Sequence, residues 1–234
     1  MPADDARPGR AAAVLFDMDG LLVDTEPVWT VAEVELAARY HSVWTAETKA
    51  RVAGTRLDVS VPLMLESFGA TPTPEVVAAA GRFLLDRMVA AFTTATPLFP
   101  GALELVSAVR ERGVPTGLVS SSYRVLVDAV LGRVGAGRFD VTVAGDEVAH
   151  GKPDPEGYLT ACSLLGVPPA EVVVLEDAAA GVAAGEAAGC VVVAVPDVGP
   201  LTETPRRPVL PTLVGVDPDW LLGLPGALLD VPVG

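Results

Sequence analysis

An apolar run that ends abruptly in two carboxylates constrains this 234-residue chain most tightly. Residues 12–26 read AAVLFDMDGLLVDTE. Val14, Leu15 and Phe16 predict a buried strand, and the run stops at Asp17 and Asp19, followed by Gly20. In open α/β sheets ligands bind at the carboxyl ends of the strands, and charges seldom sit beside a core strand without a partner. Two acids at that position ask for something positive between them, most simply a divalent cation. The competing reading is that Asp17, Asp19 and Asp24 form an ordinary solvated turn.

The rest of the chain decides between the two. From Pro27 to about residue 92 the pattern is helical, with no convincing strand. Val61, Met64, Leu65 and Phe68 follow helical spacing, with Pro62 limiting where that helix can begin. Thr73-Pro74 is a start signal for a helix striped by Val77, Ala80, Leu84, Met88 and Ala91. From Pro97 the pattern alternates. Strands are predicted over residues 114–119, 141–144, 172–175 and 191–195, separated by helices that end at Gly113, Gly135, Gly166 and Gly189. Such alternation means an α/β fold with a doubly wound, mainly parallel sheet. The helical stretch, inserted after the first strand, reads as a small lid. Residues 1–24 and 98–234 are therefore expected to form the core, and residues 25–97 a cap. Residues 1–10 read as a tail, and a short helix is expected near Trp220.

Composition narrows the function classes. A formal charge of −14 disfavours nucleic acid and anionic membranes as partners. The longest apolar runs are too short to span a bilayer, and the N-terminus lacks the basic flank and apolar stretch of a signal peptide, so the expected location is cytoplasmic. Cys162 and Cys190 match no metal spacing and are expected to be buried free thiols.

Parallel strands put all their carboxyl ends on one sheet edge. That edge would gather Asp17 and Asp19, Ser120, Lys152 from the Gly151-Lys152-Pro153 loop, and Glu176-Asp177. Together these supply a nucleophile, a second acid, a hydroxyl, a cation and metal-binding carboxylates.

On FDMDGLLVDTE (16–26), GLVSSS (117–122), GKPDPEGY (151–158) and LEDAAAGVAAGEAAG (175–189), the sequence resembles the haloacid dehalogenase superfamily, in the branch with a helical cap after the first strand. The resemblance implies a Mg²⁺-dependent phosphotransferase acting on a small phosphorylated metabolite, as a monomer or weak oligomer. It makes Asp17 the nucleophile that forms an aspartyl-phosphate, and Asp19 the general acid and base. Asp17, the Asp19 carbonyl and Asp177 would hold Mg²⁺, with Glu176 as a ligand or a support. Ser120 would hydrogen-bond a phosphoryl oxygen, with Gly20 and Ser121 beside it, and Lys152 would offset negative charge in the transition state.

The chain departs from that pattern in one place: Ala178 stands where serine often follows the Glu-Asp pair. In the insert, Ala53-Gly54-Thr55-Arg56-Leu57 takes the place of the substrate-specificity loop, and Arg56 reads equally as a contact to sugar or phosphate and as a surface residue. His150 reads first as a solvated loop residue, and Trp29 as packing. The segment 24–29 and the Gly-Thr-Arg-Leu-Asp run resemble hexose and hexitol phosphatases more than β-phosphoglucomutases, which usually carry histidine at the position of Trp29. A sugar phosphatase is the expected function, with a phosphosugar mutase as the alternative. A non-catalytic binding protein is disfavoured because Asp17, Asp19, Lys152 and Asp177 are all present. Dehalogenation is disfavoured by Asp19, the leaving-group acid that such chemistry does not need.

Overall fold

The computed structural model describes residues 9–52, 55–95, 97–197 and 199–228. Most of the expected N-terminal tail, and Ala53 and Gly54 of the loop in the insert, lie outside the described residues. Five short strands form the sheet: β1 (Ala13–Phe16), β2 (Thr116–Val119), β3 (Val141–Val143), β4 (Val172–Glu176) and β5 (Val191–Ala194). All neighbours pair parallel, in the order β3-β2-β1-β4-β5. The strand order reverses at β1, so a crevice opens beside the carboxyl end of that strand.

The strands read as continuous apolar runs because both faces of the sheet are covered. Side chains alternate across a strand, and the two faces feed different clusters. Ala13 and Leu15 pack with Tyr158, Ala161 and Cys162 of α7 (Glu156–Leu165) and with Val182 and Ala184 of α8 (Ala179–Ala187). Val14 and Phe16 pack on the other side with α5 (Ala102–Glu111), α6 (Arg124–Val134) and α9 (Pro218–Leu228). Cys162 and Cys190 are both buried and free. The helix expected near Trp220 is α9; it buries Leu221 and Leu222 and leaves Trp220 at the surface. The Pro-rich stretch before it lies along β5, where Ala194 donates to Pro208 O at 2.9 Å and accepts from Leu210 N at 2.8 Å.

Among the described residues four helices lie between β1 and α5 and make up the insert: α1 (Glu26–Arg39), α2 (Ala46–Val52), α3 (Leu57–Ser67) and α4 (Pro74–Thr94). The chain leaves the sheet through Val23 and Asp24 and returns through Pro97 and Leu98. These two passages touch: Val23 and Leu98 form an antiparallel bridge, and Asp24 N donates to Pro97 O at 2.9 Å. Thr73 caps α4 by accepting from Val76 N. The buried stripe of α4 is Ala80, Leu84, Met88 and Phe92, so Phe92 rather than Ala91 continues it. In α3 the helix begins at Leu57 and runs through Pro62. An interior proline costs a helix about 3 kcal/mol; burial of Leu57, Val61, Met64 and Leu65 on the same helix offsets that. The apolar residues of the insert join the cluster under α5 and α6.

Among the described residues of the insert, Thr25, Thr48 and Ser60 are buried with one charged residue, Glu33. Glu33 of α1 is 6% exposed, and its Oε2 is buried without a hydrogen-bond partner. Burial, and then the charge of Glu26, raise its carboxyl to about 7; Lys49, which pairs with Glu26 and donates to Thr30 Oγ1 at 2.8 Å, opposes this only in part. A carboxyl raised on folding leaves native stability whole below its ordinary value of 4.5 and erodes it as pH climbs through about 7. The full difference is on the order of 3 kcal/mol. Glu33→Gln is therefore expected to gain stability relative to wild type across that window and hold a constant gain above it. Denaturant titrations below, between and above the two values check this, and parallel profiles for the two proteins would sink it.

Candidate active site

Each group at the sheet edge is placed by its position in a strand or by the turn that follows one. Asp17 directly follows β1, and its N–H donates to Leu175 O of β4 at 3.1 Å, which holds it against the neighbouring strand end. Glu176 is the last residue of β4, and Asp177 follows it. Asp17, Glu176 and Asp177 are all buried, with one carboxylate oxygen from each within 4.8 Å of the others.

Lys152 enters this group from the loop before α7. Its ammonium pairs with Asp17 Oδ1, donates to Glu176 Oε1 at 2.6 Å and reaches Val119 O at 3.1 Å. Burial alone would lower the lysine, but Asp17 and Glu176 hold it well above its ordinary value, so it stays charged. Glu176 is fully engaged. Oε1 also accepts from Tyr158 OH at 2.7 Å, and Oε2 accepts from Asp177 N at 3.1 Å and Ala178 N at 3.3 Å. The small residues of α8 have a reason here: a Cβ at Gly181 would fall 1.8 Å from Glu176 Oε1.

The turn after β1 brings in Asp19. Its Oδ2 accepts from Ser120 Oγ at 2.8 Å and Ser122 Oγ at 2.9 Å, while Oδ1 is buried with no partner. Gly20 lies at φ +86°, and a Cβ there would meet Asp177 Oδ2 at 2.1 Å, so this turn admits only glycine. Ser122 and Tyr158 were not among the residues expected from the sequence. Ser122 comes in because the chain bends after β2, where Ser122 N donates to Ser120 Oγ at 2.9 Å. Ser120 and Ser122 therefore reach Asp19 together. No side-chain hydrogen bond joins Ser121 to this set among the described residues; its carbonyl lies against Gly145. Tyr158 reads in sequence as one apolar position of a helix, and only its hydroxyl shows otherwise.

The charges do not balance. Four carboxylates surround one ammonium, and burial together with the neighbouring acids raises Asp17 and Asp177 well above the carboxylate range. An oxygen-rich, buried, electron-rich cluster of this kind suits a hard divalent cation, which would return both groups to the ionised form.

Other expected residues sit further out. Arg56 stands at the start of α3 and spends its guanidinium on Asp58, Val148 O and Ala149 O. His150 is on the surface, with Nδ1 3.1 Å from Glu156 Oε2. Asp24 is at the exit of the chain from the sheet, and Trp29 packs against the main apolar cluster.

Comparison with known proteins gives the same picture. The family model for haloacid dehalogenase-like hydrolases matches residues 11–189. Hexitol phosphatase A of Escherichia coli is 37% identical over 190 residues, covering 80% of this chain and 83% of that one. Validoxylamine A 7'-phosphate phosphatase of Streptomyces hygroscopicus subsp. limoneus is 34% identical over 177 residues, 75% of this chain and 81% of that one. Among solved structures, CbbY from Rhodobacter sphaeroides in complex with phosphate superposes with a TM-score of 0.79 at 27% identity, covering 88% of this chain and 96% of that chain. A match spanning the whole first strand, the insert and the Glu176-Asp177 turn, in the order the sheet requires, leaves one assignment: this chain belongs to the haloacid dehalogenase-like hydrolases.

Proposed function

We propose that this protein is a Mg²⁺-dependent phosphatase of small phosphate monoesters, sugar phosphates first, working through an aspartyl-phosphate on Asp17. Asp19 carries the reading. A half-buried carboxyl fixed by two serine hydroxyls through one oxygen, with the other oxygen unpartnered, is built to exchange a proton two residues from the nucleophile. Relatives named as a hexitol phosphatase and a validoxylamine A 7'-phosphate phosphatase support the substrate class.

A carboxylate oxygen of Asp17 attacks phosphorus, the ester P–O bond breaks, and Asp19 gives its proton to the departing alkoxide. Asp19 then takes a proton from water as that water attacks phosphorus and the Asp17–phosphorus bond breaks, releasing phosphate. Lys152 holds positive charge beside Asp17 throughout, and Glu176 with Tyr158 holds Lys152. Ser120 exchanges its bond to Asp19 for a phosphoryl oxygen, beside the backbone of Gly20 and Ser121. Asp17, the Asp19 carbonyl and Asp177 would hold Mg²⁺, whose charge offsets the repulsion between Asp17 and an incoming phosphate. Residues 25–97 act as the cap over this edge; the pairing of Val23 with Leu98 gives the two crossings a common hinge.

Phosphate release from sugar phosphates and p-nitrophenyl phosphate is expected with Mg²⁺ and lost with a chelator. Asp17→Asn is expected to lose at least about a thousandfold in kcat; release that survives it would sink the mechanism. Asp19→Asn separates the acid role from general damage. A phenolate departs with less help than an alkoxide, so the loss should be about tenfold or more larger on the sugar phosphate than on the aryl ester. Equal losses would count against Asp19 as leaving-group acid.

A further inference from the structure

Among the described residues, Arg56 is the one side chain of the insert whose hydrogen bonds reach the loop that carries Lys152. Its backbone is fixed at the N-terminal end of α3, where its carbonyl accepts from Val59 N and Ser60 N. Its guanidinium is gripped in a fork by Asp58, Nε to Oδ1 at 3.0 Å and Nη2 to Oδ2 at 2.8 Å. That grip points Nη1 across to the sheet domain, where it donates to Val148 O at 3.1 Å and Ala149 O at 3.4 Å. The same loop is held from its other side. Ala149 N donates to Glu156 Oε1 at 2.9 Å and His150 N to Glu156 Oε2 at 2.8 Å. Arginine from the insert thus takes the carbonyls, and glutamate from α7 takes the amides.

The stem of Arg56 lies on the next residue: a Cβ at Gly151 would sit 2.3 Å from Arg56 Cδ. Lys152 follows at once, with its ammonium on Asp17 and Glu176. We propose that Arg56 is a positioning residue that clamps the 148–151 backbone, so that Lys152 is held at Asp17 only while the insert is seated on the sheet. Substrate contact is not its task, because Asp58 and two backbone carbonyls already take its donors. Seating of the insert and readiness of the catalytic lysine become one event. The kinetic part of this rests on the phosphatase reading; the clamp itself does not.

The test joins kinetics on p-nitrophenyl phosphate, which has no sugar for the insert to recognise, with amide hydrogen exchange over residues 148–151. Arg56→Ala is expected to lower kcat about tenfold on this ester and on sugar phosphates alike, with KM nearly unchanged. Arg56→Lys should not restore it, since an ammonium lacks the fork that grips Asp58 and still reaches the carbonyls. A residue that only balanced substrate charge would be rescued by lysine. Gly151→Ala should lower kcat about as much as Arg56→Ala in the wild-type background and add less than about twofold to Arg56→Ala, where the atom it meets is gone. The amides of Ala149 and His150 should exchange faster in Arg56→Ala than in wild type. A rise in KM confined to sugar phosphates, rescue by lysine, or additive losses in the double variant would each overturn the proposal. If wild type releases no phosphate at all, the phosphatase reading fails by itself. Exchange then decides the clamp: equal protection in wild type and Arg56→Ala overturns it, and faster exchange upholds it.

Discussion

The structure turns on one buried ammonium. Lys152 sits at the carboxyl edge of the sheet with Asp17 and Glu176 against it, and a charge removed from water is tolerable only with partners of opposite sign at hydrogen-bond distance. Those partners are themselves buried carboxylates that need further donors. Glu176 finds them in Tyr158 and in two backbone amides just before α8, while the half-buried Asp19, which does not touch the lysine, takes Ser120 and Ser122. The network leaves one deficit of positive charge, around Asp17 and Asp177. This deficit is the physical reason to expect a divalent cation there.

Burial on that scale needs a scaffold that does not yield. β1 supplies Asp17 from the centre of a fully parallel sheet, and β4 supplies Glu176 from the adjacent strand, in a register fixed by the pairs from Ala13 with Val172 to Phe16 with Leu175. Shifting either strand by one residue would send its acids to the opposite face. Layers of helices on both faces make such a shift costly, because Val14 and Phe16 fill one core and Ala13 and Leu15 the other. The four-helix insert adds to the first of these cores and reaches the Lys152 loop through Arg56. The contact from the insert and the lysine of the candidate site therefore share one stretch of backbone, residues 148–152.

The sequence carried most of the fold in its periodicity. Runs of valine and leucine too short for helices, separated by helical stripes ending in glycine, are what a parallel sheet with two covered faces requires, and all five strands fall where those runs lie. Proline was the less faithful guide. Pro62 lies inside α3 because buried leucine and methionine on the same helix outweigh a lost hydrogen bond. The acids and the lysine at the site were legible because charge beside an apolar strand is rare enough to mean something. Tyr158 was not, since an aromatic ring in an apolar stripe looks like any other core residue until its hydroxyl is seen on Glu176.

What the sequence determined by itself is the set of candidate groups and the order in which strands present them, because both follow from local pattern: an acid pair after one strand, serines after another, a second acid pair after a third. Which of those groups face one another was decided by the tertiary structure alone. Asp19 takes Ser120 and Ser122, Lys152 bridges Asp17 and Glu176, and Arg56 binds backbone carbonyls more than ninety residues away. Contacts at such separation carry no local signature, since each partner's residue type suits a surface turn equally well. Only the packing of helices against both faces of the sheet removes water from these groups and turns scattered charges into a single coupled site.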